Sequence, residues 1–165
     1  MKKIWSLNHP DWGEFEMTWS DKTDFENLDN VIGVVGFVFD DEGRFCIMKL
    51  SCKQQWLVTG GKPEKYDKSF EDTLIREVDE EADLEIKDIK RVGCLICWRK
   101  ENPEKKEYAL RYTARVKKIK PQTLDPAYNE IPQRKFIFPE EFNKYCGWGE
   151  NGDFQVKKAL RKLKR

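Results

Sequence analysis

The stretch Gly60-Gly61-Lys62-Pro63-Glu64 and, beyond a short loop, Arg76-Glu77-Val78-Asp79-Glu80-Glu81 decides the reading of this chain. The second half lies in the clearest helix, Ser69 to Leu84. Ser69 is placed to cap it, and Glu71 and Asp72 fall in the first turn, where the helix dipole favours acids. Glu77, Glu80 and Glu81 stand at i, i+3 and i+4, so at about 100° per residue they share about 100° of arc within one turn. They border the apolar stripe Phe70, Leu74, Ile75, Val78 and Ala82 instead of lying opposite it. Like charges so close repel unless something positive sits between them. A hard divalent cation, Mg²⁺ or Mn²⁺, takes such oxygen ligands. With 30 acids in 165 residues, a solvated acidic helix is the plainer reading of the helix alone. The Gly-Gly turn, where backbone can approach a ligand closely, tips the balance toward a site.

Working outward, Val31 to Phe39 (VIGVVGFVF) is apolar throughout, as expected of a strand buried on both faces. Asp40 to Gly43 is a turn, and Arg44 to Leu50 returns as its hairpin partner. Trp56-Leu57-Val58 is a short strand running into Gly60-Gly61. Beyond the helix come strands at about Ile89 to Arg99 and Tyr108 to Val116, joined by a polar loop at Glu101 to Lys105. The loop Pro121 to Pro132 leads to a strand at Lys135 to Phe138, a helix start at Pro139, and a last helix from Asp153. Residues 1–30 carry Trp5, Trp12, Phe15, Trp19 and Phe25, broken by Pro10 and Gly13, and read as a short strand or cover segment. No repeat or low-complexity linker divides the chain, so residues 1–165 read as one domain of α/β (α+β) type.

Composition removes several chemistries. The only histidine is His9, so Ser-His-Asp or Cys-His pairs and Cys/His zinc sites are poorly supplied. Five cysteines without a signal peptide fit a reducing, cytoplasmic setting better than a disulfide framework. Cys94 and Cys97 have redox-motif spacing, but on a strand they point to opposite faces and read as packing thiols. No apolar run approaches a membrane span. The formal net charge is +1, yet six basic residues crowd Asp153 to Arg165, leaving the remainder with twenty-five basic residues against twenty-nine acidic, a net of −4.

The central segment resembles the signature box of the Nudix hydrolases: Gly, five residues, Glu, seven residues, then Arg-Glu-aliphatic-x-Glu-Glu-x-Gly. Arg76 to Glu81 matches its second half without a gap, and Trp56 to Glu64 looks like its strand and Gly-Gly lead-in. The order of the surrounding elements extends the likeness over roughly Val31 to Leu163. The loop is one residue longer than in the family. Lys68 falls where the box has its first Glu, with Asp67 or Glu71 able to substitute. Asp83 replaces the final Gly, and Thr59 stands where Pro is frequent.

The resemblance implies an α/β/α sandwich with a mixed central sheet and metal-dependent cleavage of a diphosphate linkage in a nucleoside diphosphate derivative. By family analogy Glu80 and Glu81 hold the metal with the Gly61 backbone, Glu77 is a further ligand or orients the water, and Arg76 fixes the carboxylates. Glu130 lies where the family often presents a distal catalytic Glu. Gly60, Gly61, Lys62, Trp98 and Arg99 are candidates for substrate binding, although core packing is the plainer duty of Trp98 and of Tyr112. The expected partner is a small-molecule nucleotide, bound by a monomer or homodimer. A Nudix-fold module that binds nucleotide or RNA without cutting it is the alternative, motivated by Lys68 and the longer loop. The helix Asp153 to Arg165 reads first as a packed amphipathic helix with a solvated basic face, and second as an RNA contact.

Overall fold

The computed structural model describes residues 3–9 and 13–164. Pro10 and Trp12 of the lead and Arg165 of the basic tail lie outside the described residues. One nine-stranded mixed sheet runs in the order β1(Ile4–His9), β2(Gly13–Ser20), β7(Leu84–Arg99), β8(Asn102–Ile119), β3(Val31–Phe39), β4(Phe45–Lys49), β5(Leu57–Val58). β6(Gly60–Gly61) pairs with β3 and β9(Gln133–Ile137) with β4. The β3–β8 pair is parallel and the others antiparallel. Helices cover both faces, which is why β3 is apolar without alternation. Val34 and Val38 pack under α1(Phe70–Ala82) with Leu74, Val78 and Ala82. Phe37 and Phe39 pack with Phe142 of α2(Phe142–Tyr145) and with Val156 and Ala159 of α3(Gly149–Leu163). Mixed sheet and α+β class agree with the sequence reading.

Several boundaries differ. The lead is a hairpin of two strands in register from Ile4↔Thr18 to His9↔Gly13, and β2 extends the sheet along β7. It is built on Met17, which packs with Leu95 and Cys97 beside Phe15 and Trp19. β3 and β4 pair only at Phe39↔Phe45, because β4 diverges to meet β9 and β5. β7 and β8 run far beyond the expected strands, and the loop at Glu101 to Lys105 shrinks to a turn. The pairing jumps from Arg99↔Asn102 to Trp98↔Lys106, a bulge that accommodates Pro103, which has no N–H for a ladder. This ribbon is exposed on both sides, so no burial pattern marked it in the sequence. α3 starts at Gly149 instead of Asp153. Gly152 lies within the helix, and a Cβ there would lie 2.5 Å from the Phe142 ring, so this glycine records packing and not a loop. At the expected helix start at Pro139, the chain makes a 3₁₀ turn, Pro139–Glu141, before α2.

The cysteines behave as packing thiols. Cys94 sits in the cluster under α1, whereas Cys97 joins Met17 and Leu95 in another. Burial pushes the thiols of Cys46 and Cys146 up to about 12 and that of Cys97 up to about 11.

Candidate functional site

α1 begins at Ser69, whose hydroxyl accepts the Asp72 N–H at 3.1 Å, and ends at Ala82, two residues before the sequence reading. Asp83 takes the left-handed conformation (φ 49°, ψ 48°) in which the signature box has glycine. Its carboxylate also accepts from the Thr123 N–H (2.8 Å) and hydroxyl (2.7 Å), fastening the loop 121–132 to the helix end. Arg134 donates to the Ala82 carbonyl at 2.6 Å, satisfying a carbonyl that the helix end leaves open.

The Gly-Gly turn is forced by two close approaches. β6 lies against β3 (Val34↔Gly61, Val35↔Gly60), and a Cβ on Gly60, at φ +153°, would sit 2.2 Å from the Val34 carbonyl oxygen. A Cβ on Gly61 would sit 2.3 Å from the Glu77 carboxyl carbon, so that carboxylate rests directly on the Gly61 backbone. Glu81 reaches the same turn, where its Oε2 accepts the Gly60 N–H at 2.8 Å. The turn and the acidic face are thus brought together. Thr59, in the position where proline is frequent, exchanges hydrogen bonds with Gly36: its hydroxyl donates to the Gly36 carbonyl, and the Gly36 N–H donates back.

Arg76 organises the rest. It donates to Glu77 Oε1 (2.7 Å), to Glu80 Oε2 (3.3 Å) and to the Lys62 carbonyl (3.0 Å). A two-pronged pair joins it to Asp67, Nε to Oδ1 at 3.1 Å and Nη2 to Oδ2 at 3.0 Å. Of the two acids offered for the position of Lys68, Asp67 is the one that reaches Arg76, whereas Glu71 pairs with Arg91. The Arg76 hydrogen bonds, ahead of those from the Glu64 backbone and Thr73, hold its carboxyl down at about 2. The positive charge between Glu77 and Glu80 is this guanidinium. Among the described residues, no three His, Cys, Asp or Glu side chains already converge as a metal cluster.

Burial pushes the Glu77 carboxyl up, against the opposing pull of Arg76. Glu81 is pushed up to about 8, first by burial and then by the charges of Glu77, Asp125 and Glu80, with the Gly60 N–H opposing. A carboxyl raised in the folded state stabilises fully below its ordinary value of 4.5, and that contribution is lost as pH rises through about 8. Metal-free protein is therefore expected to melt at a lower temperature as pH rises from about 5 to about 8. Glu81→Gln should flatten the thermal-midpoint profile, and an unchanged slope in the variant contradicts the assignment.

Glu130 is elsewhere engaged: its carboxylate accepts the Ser51 N–H at 2.7 Å and the Ser51 hydroxyl, pinning the loop to the end of β4. The same loop instead sets the buried Asp125 near enough to raise Glu81. The sequence reading missed Asp125. Its signal is the Asp-Pro pair, which makes an Asx turn with Oδ1 accepting the Ala127 N–H at 2.8 Å. Lys62, Trp98 and Arg99 do come together, lining a cleft of about 200 Å³ with Phe15 from the lead. Trp98 Nε1 donates to Glu16 at 3.2 Å, which fixes the indole at the wall of that cleft. Tyr112 is fully buried and packs edge-on against Phe25.

A sequence model of the NUDIX domain matches residues 29–157. A search of curated protein sequences finds no significant match. Among solved structures, a variant of the Bacillus subtilis pyrophosphohydrolase BsRppH superposes with a TM-score of 0.67 at 20% identity, covering 97% of this chain and 96% of its own. The NUDIX domain of Shewanella oneidensis NrtR, complexed with ADP ribose, gives 0.60 at 15% identity, covering 86% and 94%. An ADP-ribose pyrophosphatase from Streptococcus suis gives 0.57 at 18% identity, covering 83% and 94%. At these identities the likeness is one of fold.

Proposed function

The chain belongs to the Nudix hydrolases, enzymes acting on phosphorus-containing anhydrides, and on that premise we propose that residues 1–165 form one domain that cleaves the diphosphate linkage of a small nucleoside diphosphate derivative with Mg²⁺ or Mn²⁺. The observation that carries this reading is the seating of Glu77 and Glu81 on the Gly60-Gly61 turn, with Asp67 and Arg76 holding the loop in place of the usual Glu. The Asp67–Arg76 pair supports a catalytic reading over a binding-only module despite Lys68.

The donor set fits a hard cation. Glu77 and Glu81 carry carboxyls raised by burial, so both gain from a positive charge, and all the donors are oxygens. Glu80, Glu81, Glu77 and the Gly61 backbone would hold the ion. When bound, it supplies charge neutralisation at the phosphoryl oxygens and a more acidic water. Arg76 holds Glu77 Oε1, leaving Oε2 to orient the attacking water and accept its proton. The water attacks phosphorus in line, and the P–O bond to the leaving phosphate breaks on the opposite side. The Lys62 side chain and Arg99 offer positive charge to the anion, and Trp98 offers a face for the base in the cleft lined also by Phe15.

The test is turnover with Mg²⁺ on a panel of nucleoside triphosphates, nucleotide sugars, ADP-ribose and dinucleoside polyphosphates. Glu80→Gln should lower turnover about a hundredfold or more on whichever compound is cut. Equal inertness of wild type and variant across the panel rules hydrolysis out.

A further inference from the structure

A cleft of about 460 Å³, separate from the three glutamates, opens between α3, the middle of β7 and the segment joining β2 to β3. Arg91, Lys158, Arg161 and Lys162 line it, with Asp21 as its only acid. Lys158, Arg161 and Lys162 stand at i, i+3 and i+4, so three cations share one turn of α3 as the three glutamates share one turn of α1. Asp21 is already committed: Lys158 Nζ donates to both its oxygens (3.0 and 2.7 Å) and Trp19 Nε1 to one of them (2.7 Å). Arg161 and Lys162 have no ion-pair partner among the described residues. Arg91 is set in place by Glu71 at 3.1 Å and by the Phe25 ring beneath it, 5.4 Å from the centroid.

The cationic lining ends at Arg91, because the adjoining cleft that Phe25 and Arg91 share with the loop before α1 is lined also by Glu26, Asp67 and Glu71. Four cations therefore gather in one cleft, while outside the last thirteen residues the chain carries a net charge of −4. A simple solvated basic helix gives no reason for α3 to turn Lys158, Arg161 and Lys162 into a cleft and leave Lys157 and Lys164 outside it. The lining is polar and cationic, with Phe25 buried beneath Arg91, so it offers charge to phosphates and no platform for stacking bases. We propose that this cleft at α3 binds the backbone phosphates of a single-stranded oligonucleotide, independently of sequence and outside the catalytic site.

The probe is a 3′-labelled oligouridylate of about twelve nucleotides with a 5′-hydroxyl, titrated with the full chain in chelator by fluorescence anisotropy at about 50 to 200 mM salt. It carries no diphosphate, so the outcome stands whether or not the chain hydrolyses one. Arg161→Glu with Lys162→Glu should weaken binding at least about tenfold and reduce the log-log salt slope by about 1.4, the loss of two contacts at about 0.7 each. Reversing the exposed Lys157 and Lys164, on the same helix but outside the cleft, should cost less than about threefold. All four side chains are exposed, and far-UV melting verifies that both variants fold. Equal losses in the two variants, no binding by wild type, or a site that takes inorganic triphosphate and refuses the oligonucleotide would each overturn the proposal.

Discussion

Gly61→Ala is expected to lower turnover by about 10² to 10³ while changing the stability of the fold by no more than about 1 kcal/mol. The new methyl would lie 2.3 to 2.4 Å from all three carboxyl atoms of Glu77. It meets the far end of a flexible side chain and no backbone, so the fold escapes the clash by letting Glu77 rotate away. What it loses is the position of the carboxylate that orients the water, and misplacement of about 1 Å is enough to cost two orders of magnitude. The adjacent Gly60 lacks this escape. Its φ of +153° disfavours any side chain, and its Cβ would strike the Val34 carbonyl and the Val35 Cα of β3. Turnover and urea denaturation measured on the same Gly61→Ala preparation decide the matter. Loss of stability in proportion to activity, or full activity, shows that the Glu77 seat is not what the glycine protects.

This contrast explains what was legible in the sequence. The continuous apolar run of β3, the Ser69 cap and the i, i+3, i+4 glutamates are local patterns, and the structure places each as read. The substitution of Asp67 for the acid missing at Lys68 was open beside Glu71. It is decided by reach: Glu71 pairs with Arg91, on the far side of the helix start, while Asp67 faces Arg76. The errors come where a residue answers to something distant in the chain. Gly152 reads as a helix breaker until the Phe142 ring is placed against it. Glu130, read by family analogy as a distal catalytic Glu, is held in this structure through both oxygens by Ser51, seventy-nine residues away, a partner that no local pattern marks. Asp125 has no helical neighbours to mark it, and the fastening of its loop by Asp83 to Thr123 and by Glu130 to Ser51 brings it beside Glu81. The cation inferred from three repelling carboxylates is answered in part by Arg76, a neighbour in the same turn whose fork reaches Glu77 and Glu80.

Asp67→Ala should therefore strike the site through Arg76. Asp67 accepts two hydrogen bonds from that guanidinium and one each from the Glu64 N–H and the Thr73 hydroxyl, both at 2.9 Å. Its removal frees the loop before α1 and leaves Arg76 to Glu77, Glu80, the Lys62 carbonyl and the more distant Glu64. A guanidinium no longer held back lies closer to the carboxylates that the substrate complex needs free, so turnover should fall by about 10- to 100-fold. Stability should fall by about 2 to 3 kcal/mol, the usual consequence of stripping one partner from a largely buried charged pair. Arg76→Ala made on top of it should add little, with a coupling of about 1 to 3 kcal/mol in the double-mutant cycle. Simple additivity would show that the two side chains act separately. The pH dependence separates this pair from Glu81. A carboxyl held down at about 2 contributes fully above its ordinary value of 3.8 and loses that contribution only as pH falls toward 2. The stability deficit of Asp67→Ala should accordingly be level from about pH 5 to 8, the range in which Glu81 imposes its slope, and shrink only in stronger acid.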